Sequence, residues 1–124
     1  MFDPTPKVLV IDDETDVVQI VGDRLRANGY KVLTAGTGPL GLERAFKEQP
    51  DLILLDVTMP NMDGWQVLRA LRENDRTKEV PVIMLTARGE TSSHFKAKEM
   101  DATDYFVKPF DSEELLKFVK RYIF

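Results

Sequence analysis

Two adjacent aspartates, Asp12 and Asp13, follow the apolar run "KVLVI", and a third, Asp56, follows the run "DLILL". Each stands where a buried strand would stop, so the three acids are candidates for one pocket. Two carboxylates about 5 Å apart, at an effective dielectric of about 20, repel by roughly 3 kcal/mol, a large part of a small domain's stability. A hard divalent cation offsets that repulsion: Mg2+ takes oxygen ligands in an octahedron, keeps several waters and uses a few carboxylates plus a phosphate oxygen. Two more groups end later runs, Thr86 after "VIML" and Lys108 just before Pro109. A metal-bound carboxylate with a hydroxyl donor and an ammonium beside it is what an aspartyl-phosphate site needs. The carboxylate attacks phosphorus, metal and lysine neutralise charge on the phosphoryl oxygens, and the hydroxyl hydrogen-bonds to the product.

Positioning these groups together requires a particular arrangement of elements. Short β-branched or leucine-rich runs alternate with stretches whose apolar residues recur three and four apart, the signature of βα units. Strands are predicted over residues 7–11, 31–35, 51–55, 80–85 and 104–108. The first, third and fourth are apolar nearly throughout, as strands of a parallel sheet covered on both faces are. Helices are predicted over 15–28, with Val17, Val18, Val21 and Leu25 on one stripe and Asn28-Gly29 as the stop, and over 39–48, with Pro39 in the first turn ahead of Leu42, Ala45 and Phe46. A third covers 63–73 through Val67, Leu68 and Leu71, and a fourth 90–100 through Phe95, Ala97 and Met100. In the last, Asp111 and Glu114 have capping-box spacing ahead of Leu115, Val119, Tyr122 and Ile123. No repeat, linker or low-complexity segment interrupts the pattern. The reading is α/β: a doubly wound (βα)5 domain over residues 1–124 with its core at about 7–122. Ligands of such sheets bind beyond the carboxyl ends of the strands, where the strand order reverses, and a right-handed crossover topology brings the three acids together at that edge. Thr86 and Lys108 lie at the same end.

Bulk properties narrow the function classes. A chain of 124 residues suits one domain, and 43% hydrophobic with 31% charged residues is the composition of a soluble globular protein. The net charge of −4 argues against general affinity for nucleic acid or anionic membrane. With no cysteine, disulfides, thiol chemistry and thiolate metal sites are excluded. The start lacks a secretion signal and no apolar run approaches the roughly 20 residues that span a bilayer, so the cytoplasm is the expected location.

The segments "VLVIDDE", "DLILLDVTMPNMDG", "VPVIMLTA" and "DATDYFVKPF" resemble the motifs of response-regulator receiver domains of two-component signalling, including the chemotaxis response regulators. The resemblance runs from Lys7 to about Tyr122, in the family's order and spacing. It implies a flavodoxin-like, five-stranded parallel sheet of order 2-1-3-4-5 with helices on both faces. It implies that Asp56 is the phosphoacceptor, charged by the phosphohistidine of a sensor histidine kinase or phosphotransfer protein. Asp13 and Asp56 would hold Mg2+ directly, with the Thr58 backbone carbonyl as a further ligand and Asp12 acting through water. Thr86 and Lys108 would contact the phosphoryl group, beside an Ala87 small enough to leave Asp56 accessible. Tyr105 matches the aromatic that changes rotamer on activation, the Lys108-Pro109 bond is expected to be cis, and Thr58 and Arg88 occupy positions that tune phosphoryl lifetime. Such a domain is no enzyme toward an outside substrate; it promotes its own phosphotransfer and autodephosphorylation. It presents the face of the fourth helix, fifth strand and fifth helix to an unknown effector or output domain, as a monomer or phosphorylation-dependent dimer, with no direct binding to nucleic acid or membrane. Asp101 stands where the family usually has glycine and Thr103 where it often has an acid, both in the turn before the fifth strand.

Bland readings stand beside these. Asp12 and Asp13 fit a loop-and-cap pair, Asp56 a turn cap, Thr86 a β-former, Lys108 a solvated strand end and Tyr105 plain core. Trp65 reads as packing beside the turn, Gly64 as a backbone requirement, and His94 as an exposed residue. Two other functions use related equipment. A haloacid-dehalogenase-type enzyme needs a second acid two residues after its nucleophile, where Thr58 stands, and a flavin binder of this architecture needs a hydroxyl-rich loop where "DDETD" stands. A receiver serving only as a binding module would not require the complete acceptor set. A stand-alone receiver and a receiver from a longer regulator or hybrid kinase both fit the residues.

Overall fold

Strands that are apolar at every position need cover on both faces, and the computed structural model, which describes residues 4–87 and 98–123, provides it. In chain order the elements are β1 (Lys7–Ile11), α1 (Thr15–Ala27), β2 (Lys31–Ala35), α2 (Gly38–Glu48), β3 (Leu52–Asp56), α3 (Gly64–Arg72), β4 (Val82–Ala87), β5 (Asp104–Lys108) and α4 (Ser112–Val119). The strands form one parallel sheet of order β2-β1-β3-β4-β5, the doubly wound, flavodoxin-like arrangement. Most of the helix predicted over 90–100 lies outside the described residues, as do Arg88 and His94.

Alternation along each strand sorts the core into two layers. Leu9, Ile11, Ile53, Leu55, Val82 and Met84 meet Ala45 of α2 and Val67, Leu68 and Leu71 of α3. Val8, Val10, Leu52, Leu54, Ile83 and Leu85 meet Val21 and Leu25 of α1 and Leu115, Leu116 and Val119 of α4. Each of these side chains contributes about 1.5–3 kcal/mol by leaving water, so the central strands anchor the fold.

Some boundaries differ from the periodicity. The third strand runs one residue further, to Asp56, because Asp56 still pairs with Leu85. The fourth begins at Val82 and continues through Thr86 and Ala87, which pair with Val107 and Lys108. At the start of α4, Asp111 caps by accepting from the Glu113 amide at 2.8 Å, so its short side chain serves the second helical residue and not the Glu114 position that a capping box requires. The capping box of this chain is instead at α3, where Asp63 accepts from the Gln66 amide and the Gln66 side chain accepts from the Asp63 amide.

The two unusual residues before β5 also find structural roles. Asp101 adopts a left-handed φ of 63°, the conformation that favours glycine. Its carbonyl accepts from Arg72 Nε at 2.9 Å, while Arg72 Nη1 donates to the Val80 carbonyl at 2.7 Å. One guanidinium at the end of α3 thus holds the approaches to both β4 and β5. Thr103 Oγ1 accepts from the Val82 amide at 2.9 Å, and the Thr103 amide donates to the Val82 carbonyl at 2.9 Å, which starts the β4–β5 ladder. The Asp101 carboxylate adds little, being almost fully exposed and 3.9 Å from Arg72. Asp101→Val should therefore destabilise the fold by about 1–2 kcal/mol, because a β-branched residue resists this φ, while Asp101→Gly should cost nothing. Urea denaturation of both variants measures the difference; equal loss in the two would show that the backbone angle is not the constraint.

Candidate functional site

Strand periodicity decides which side chains meet at the carboxyl edge. Asp12 continues the series Val8, Val10; Asp56 continues Leu52, Leu54; Lys108 follows Phe106. All three series belong to the face covered by α1 and α4. Reaching across from β5, Lys108 places Nζ 2.8 Å from Asp12 Oδ2 and 3.4 Å from Asp56 Oδ1. Asp12 is 1% exposed and Asp56 5%, whereas Asp13 stays at the surface. Carboxylate oxygens of Asp12, Asp13 and Asp56 lie within 4.8 Å of one another. The three acids, at the ends of two strands in the sequence, form one cluster.

Burial dominates the electrostatics of Asp56. Desolvation first, then the Asp12 charge, push its carboxyl up to about 7, against the pull of Lys108 and the Thr58 amide. Lys108 is raised as well: burial works against its charge, but the close contacts of its ammonium with Asp12 and Glu14 and the attraction of Asp12 and Asp56 outweigh it, so it stays protonated. One cation is shared among more than one buried anion. Asp12 Oδ2 is buried and, although 2.8 Å from the ammonium, has no well-aligned hydrogen bond. Hard oxygen donors, close spacing and an unsatisfied buried oxygen fit a divalent cation such as Mg2+.

The loop after β3 is drawn tightly under Asp56. The Thr58 amide donates to Asp56 Oδ1 at 3.3 Å, and the Gly64 amide to the Val57 carbonyl at 2.8 Å. A Cβ at Gly64 would overlap the Asp56 carbonyl oxygen and lie 2.9 Å from Val57 Cα, so only glycine lets α3 begin there. Trp65 is buried in the α2–α3 layer next to this turn.

Thr86 and Tyr105 are not part of the acid cluster's face. Thr86 continues the series Val82, Met84, and Tyr105 is the partner of Met84, so both belong to the face covered by α2 and α3. Thr86 is 2% exposed, one residue beyond the register partner of Asp56; Tyr105 is partly buried against the same layer. Ala87 is exposed beside Lys108, and the Lys108-Pro109 bond is cis. Sequence reasoning passed over Glu14, whose Oε1 lies 2.8 Å from Lys108 Nζ and whose amide donates to Asp12 Oδ1 at 2.9 Å. The only local hint was a third consecutive acid in "DDE".

The response regulator receiver domain family matches residues 8–120. This chain belongs to that family. The receiver domain is 41% identical over 115 residues to the "DNA-binding dual master transcriptional regulator RpaA" of Synechocystis, covering 93% of this chain and 48% of the relative. It is 42% identical over 116 residues to the "Transcriptional regulatory protein PrrA" of Mycobacterium bovis, covering 94% and 49%. The chain thus spans about half the length of these curated relatives. Chemotaxis protein CheY4 of Vibrio cholerae superimposes with a TM-score of 0.90 at 37% identity, over 96% of this chain and 99% of that one. The receiver domain is therefore a module of two-component signalling, and among its described residues no helix is long and apolar enough to cross a membrane.

A stability signature follows from Asp56. Its carboxyl is raised from an ordinary 3.8 to about 7 in the metal-free fold, so its contribution favours folding below about pH 4 and is lost as pH rises through 7. In EDTA, Asp56→Asn should be more stable than the parent receiver at pH 8, by an amount of order 2 kcal/mol, and the gap should close toward pH 4. Thermal melts across that range test it; a gap independent of pH would show that Asp56 ionisation carries no cost.

Proposed function

We propose that this receiver domain takes a phosphoryl group from a phosphohistidine onto Asp56. The observation that carries the reading is the Asp56 carboxylate itself: 5% exposed, 3.4 Å from a fixed ammonium, and grouped with two further acids. An Asp56 oxygen attacks phosphorus, the phosphorus–nitrogen bond breaks, and the imidazole of the donor leaves with that electron pair. Lys108 keeps its charge throughout and neutralises the phosphoryl oxygens. Asp13, Asp56 and the Thr58 carbonyl would hold Mg2+, with Asp12 acting through water. The ion would supply charge neutralisation at the same oxygens. Ala87 leaves the approach open, and Thr86 donates its hydroxyl to the phosphoryl group once it is present.

The phosphodonor is a sensor histidine kinase or a phosphotransfer protein. Output follows from Thr86: as its side chain moves toward the phosphoryl group it leaves space for Tyr105 on the same face of the sheet. The likeness to the DNA-binding transcriptional regulator of Synechocystis supports a transcriptional output, in which this domain, at a net charge of −4, makes no nucleic-acid contact itself.

Acetyl phosphate with Mg2+ should add one phosphoryl group to the parent, labile to hydroxylamine, and none to Asp56→Asn. Intact-mass spectrometry reads both, and the same gain in the variant would place the acceptor elsewhere. Mg2+ at a hundredfold excess over its dissociation constant should stabilise the parent by about 2.7 kcal/mol in thermal melts; an unchanged midpoint would remove the metal site. Thr86→Ala should still be phosphorylated, since a hydrogen bond worth about 1.5–3 kcal/mol is lost but acceptor and metal ligands remain. With beryllofluoride at matched occupancy, the amide shifts of residues 98–108 should respond much less in that variant than in the parent, and an equal response would exclude Thr86 as the relay.

A further inference from the structure

Three carboxylates surround Lys108, but only two of them belong to the acid cluster. Nζ lies 2.8 Å from Asp12, 3.4 Å from Asp56 and 2.8 Å from Glu14. Glu14 lies outside the group formed by Asp12, Asp13 and Asp56. All three anions lie close enough to attract the ammonium, and Glu14 takes a well-aligned hydrogen bond from it. A phosphoryl group on Asp56 draws on the same ammonium, so it competes with the contacts already there.

The surroundings decide which contact gives way. The Asp12 side chain is wholly buried, and taking its ammonium away would strand a charge out of water. Asp56 becomes the phosphorylated group, so its neighbourhood with Lys108 persists. The Glu14 side chain is 60% exposed, and water readily replaces its partner. Glu14 also occupies the N-cap of α1 yet makes no side-chain cap hydrogen bond, because its carboxylate is turned toward Lys108. Its amide, donating to Asp12 Oδ1, fixes where that carboxylate starts from. Together with Val17, Ala87 and Phe110, Glu14 and Lys108 line a groove of about 480 Å3, which gives a released carboxylate room to swing.

We propose that Glu14 is a releasable tether: it positions the Lys108 ammonium in the resting receiver and competes with the phosphoryl group for it. The inference rests on Asp56 being the phosphoacceptor. Glu14 is a positioning residue, and it restrains the active arrangement by holding one donor that phosphorylation needs.

Glu14→Gln and Glu14→Asp separate this from simple repulsion of an anion. Glutamine keeps the length but drops the charge. Aspartate keeps the charge, is one methylene too short for the 2.8 Å contact, and is a good N-cap that the α1 amides recruit. Affinity for Mg2+-beryllofluoride is measured by NMR titration of the parent and both variants. Exchange of the Lys108 ammonium protons with water is measured in the metal-free proteins. Both variants should bind the analogue about three- to fivefold more tightly, which at about 1.4 kcal/mol per tenfold is about 0.6–1 kcal/mol, and both should show faster ammonium exchange. Tighter binding by Glu14→Gln alone, with Glu14→Asp matching the parent, would reduce Glu14 to a source of through-space repulsion and overturn the tether. Unchanged affinity and exchange in both variants would overturn it as well. A parent that binds no beryllofluoride would instead overturn the phosphoacceptor reading on which the tether rests.

Discussion

Two carboxylates, Asp12 and Asp56, are almost wholly withdrawn from water at one edge of a parallel sheet, and a single ammonium, Lys108, is shared between them. Everything else at that edge answers to this imbalance. A buried charge without a partner costs several kcal/mol, so the arrangement survives only while Lys108 reaches across from β5. Burial first, and then the Asp12 charge that the one cation leaves uncompensated, push the Asp56 carboxyl up to about 7, and a buried oxygen of Asp12 lacks an aligned donor. The edge is a place where added positive charge lowers the free energy.

Holding such a site requires a rigid frame, and the frame comes from the sheet. β1, β3 and β4 present leucine, isoleucine, valine and methionine to both layers, with helices closing each side. At about 1.5–3 kcal/mol per buried side chain, two such layers outweigh a repulsion of roughly 3 kcal/mol between neighbouring carboxylates. Local devices then fix the loops: Gly64 allows α3 to start directly beneath Asp56, and Arg72 ties the end of α3 to the segments entering β4 and β5.

The two faces of the sheet divide the labour. Acids and ammonium stand on the side of α1 and α4, while Thr86 and Tyr105 stand on the side of α2 and α3. The carboxyl end of β4 lies between them, since Leu85 pairs with Asp56 and Met84 with Tyr105. The buried Thr86 stands at that strand end, one residue beyond the partner of Asp56.

Much of this was legible along the chain. Strand and helix periods are local properties, so five strand-like runs and the acids at their ends could be placed from spacing, as could Val67, Leu68, Leu71 and Leu115 on the apolar faces of their helices. The Asp63–Gln66 capping box was equally local and was overlooked in favour of Asp111–Glu114, where the cap bond goes one residue short. Other features had no local signal. Glu14 meets Lys108 across 94 positions, and Arg72 meets Asp101 across 29. The elevated Asp56 carboxyl depends on the water removed by three strands and on the charges they bring with them. Sequence determined which residues stood at the strand ends, because period and hydrophobicity act within a few residues. Only the tertiary structure decided which carboxylates share the ammonium, because ion pairing and desolvation depend on distances that strand order and register set.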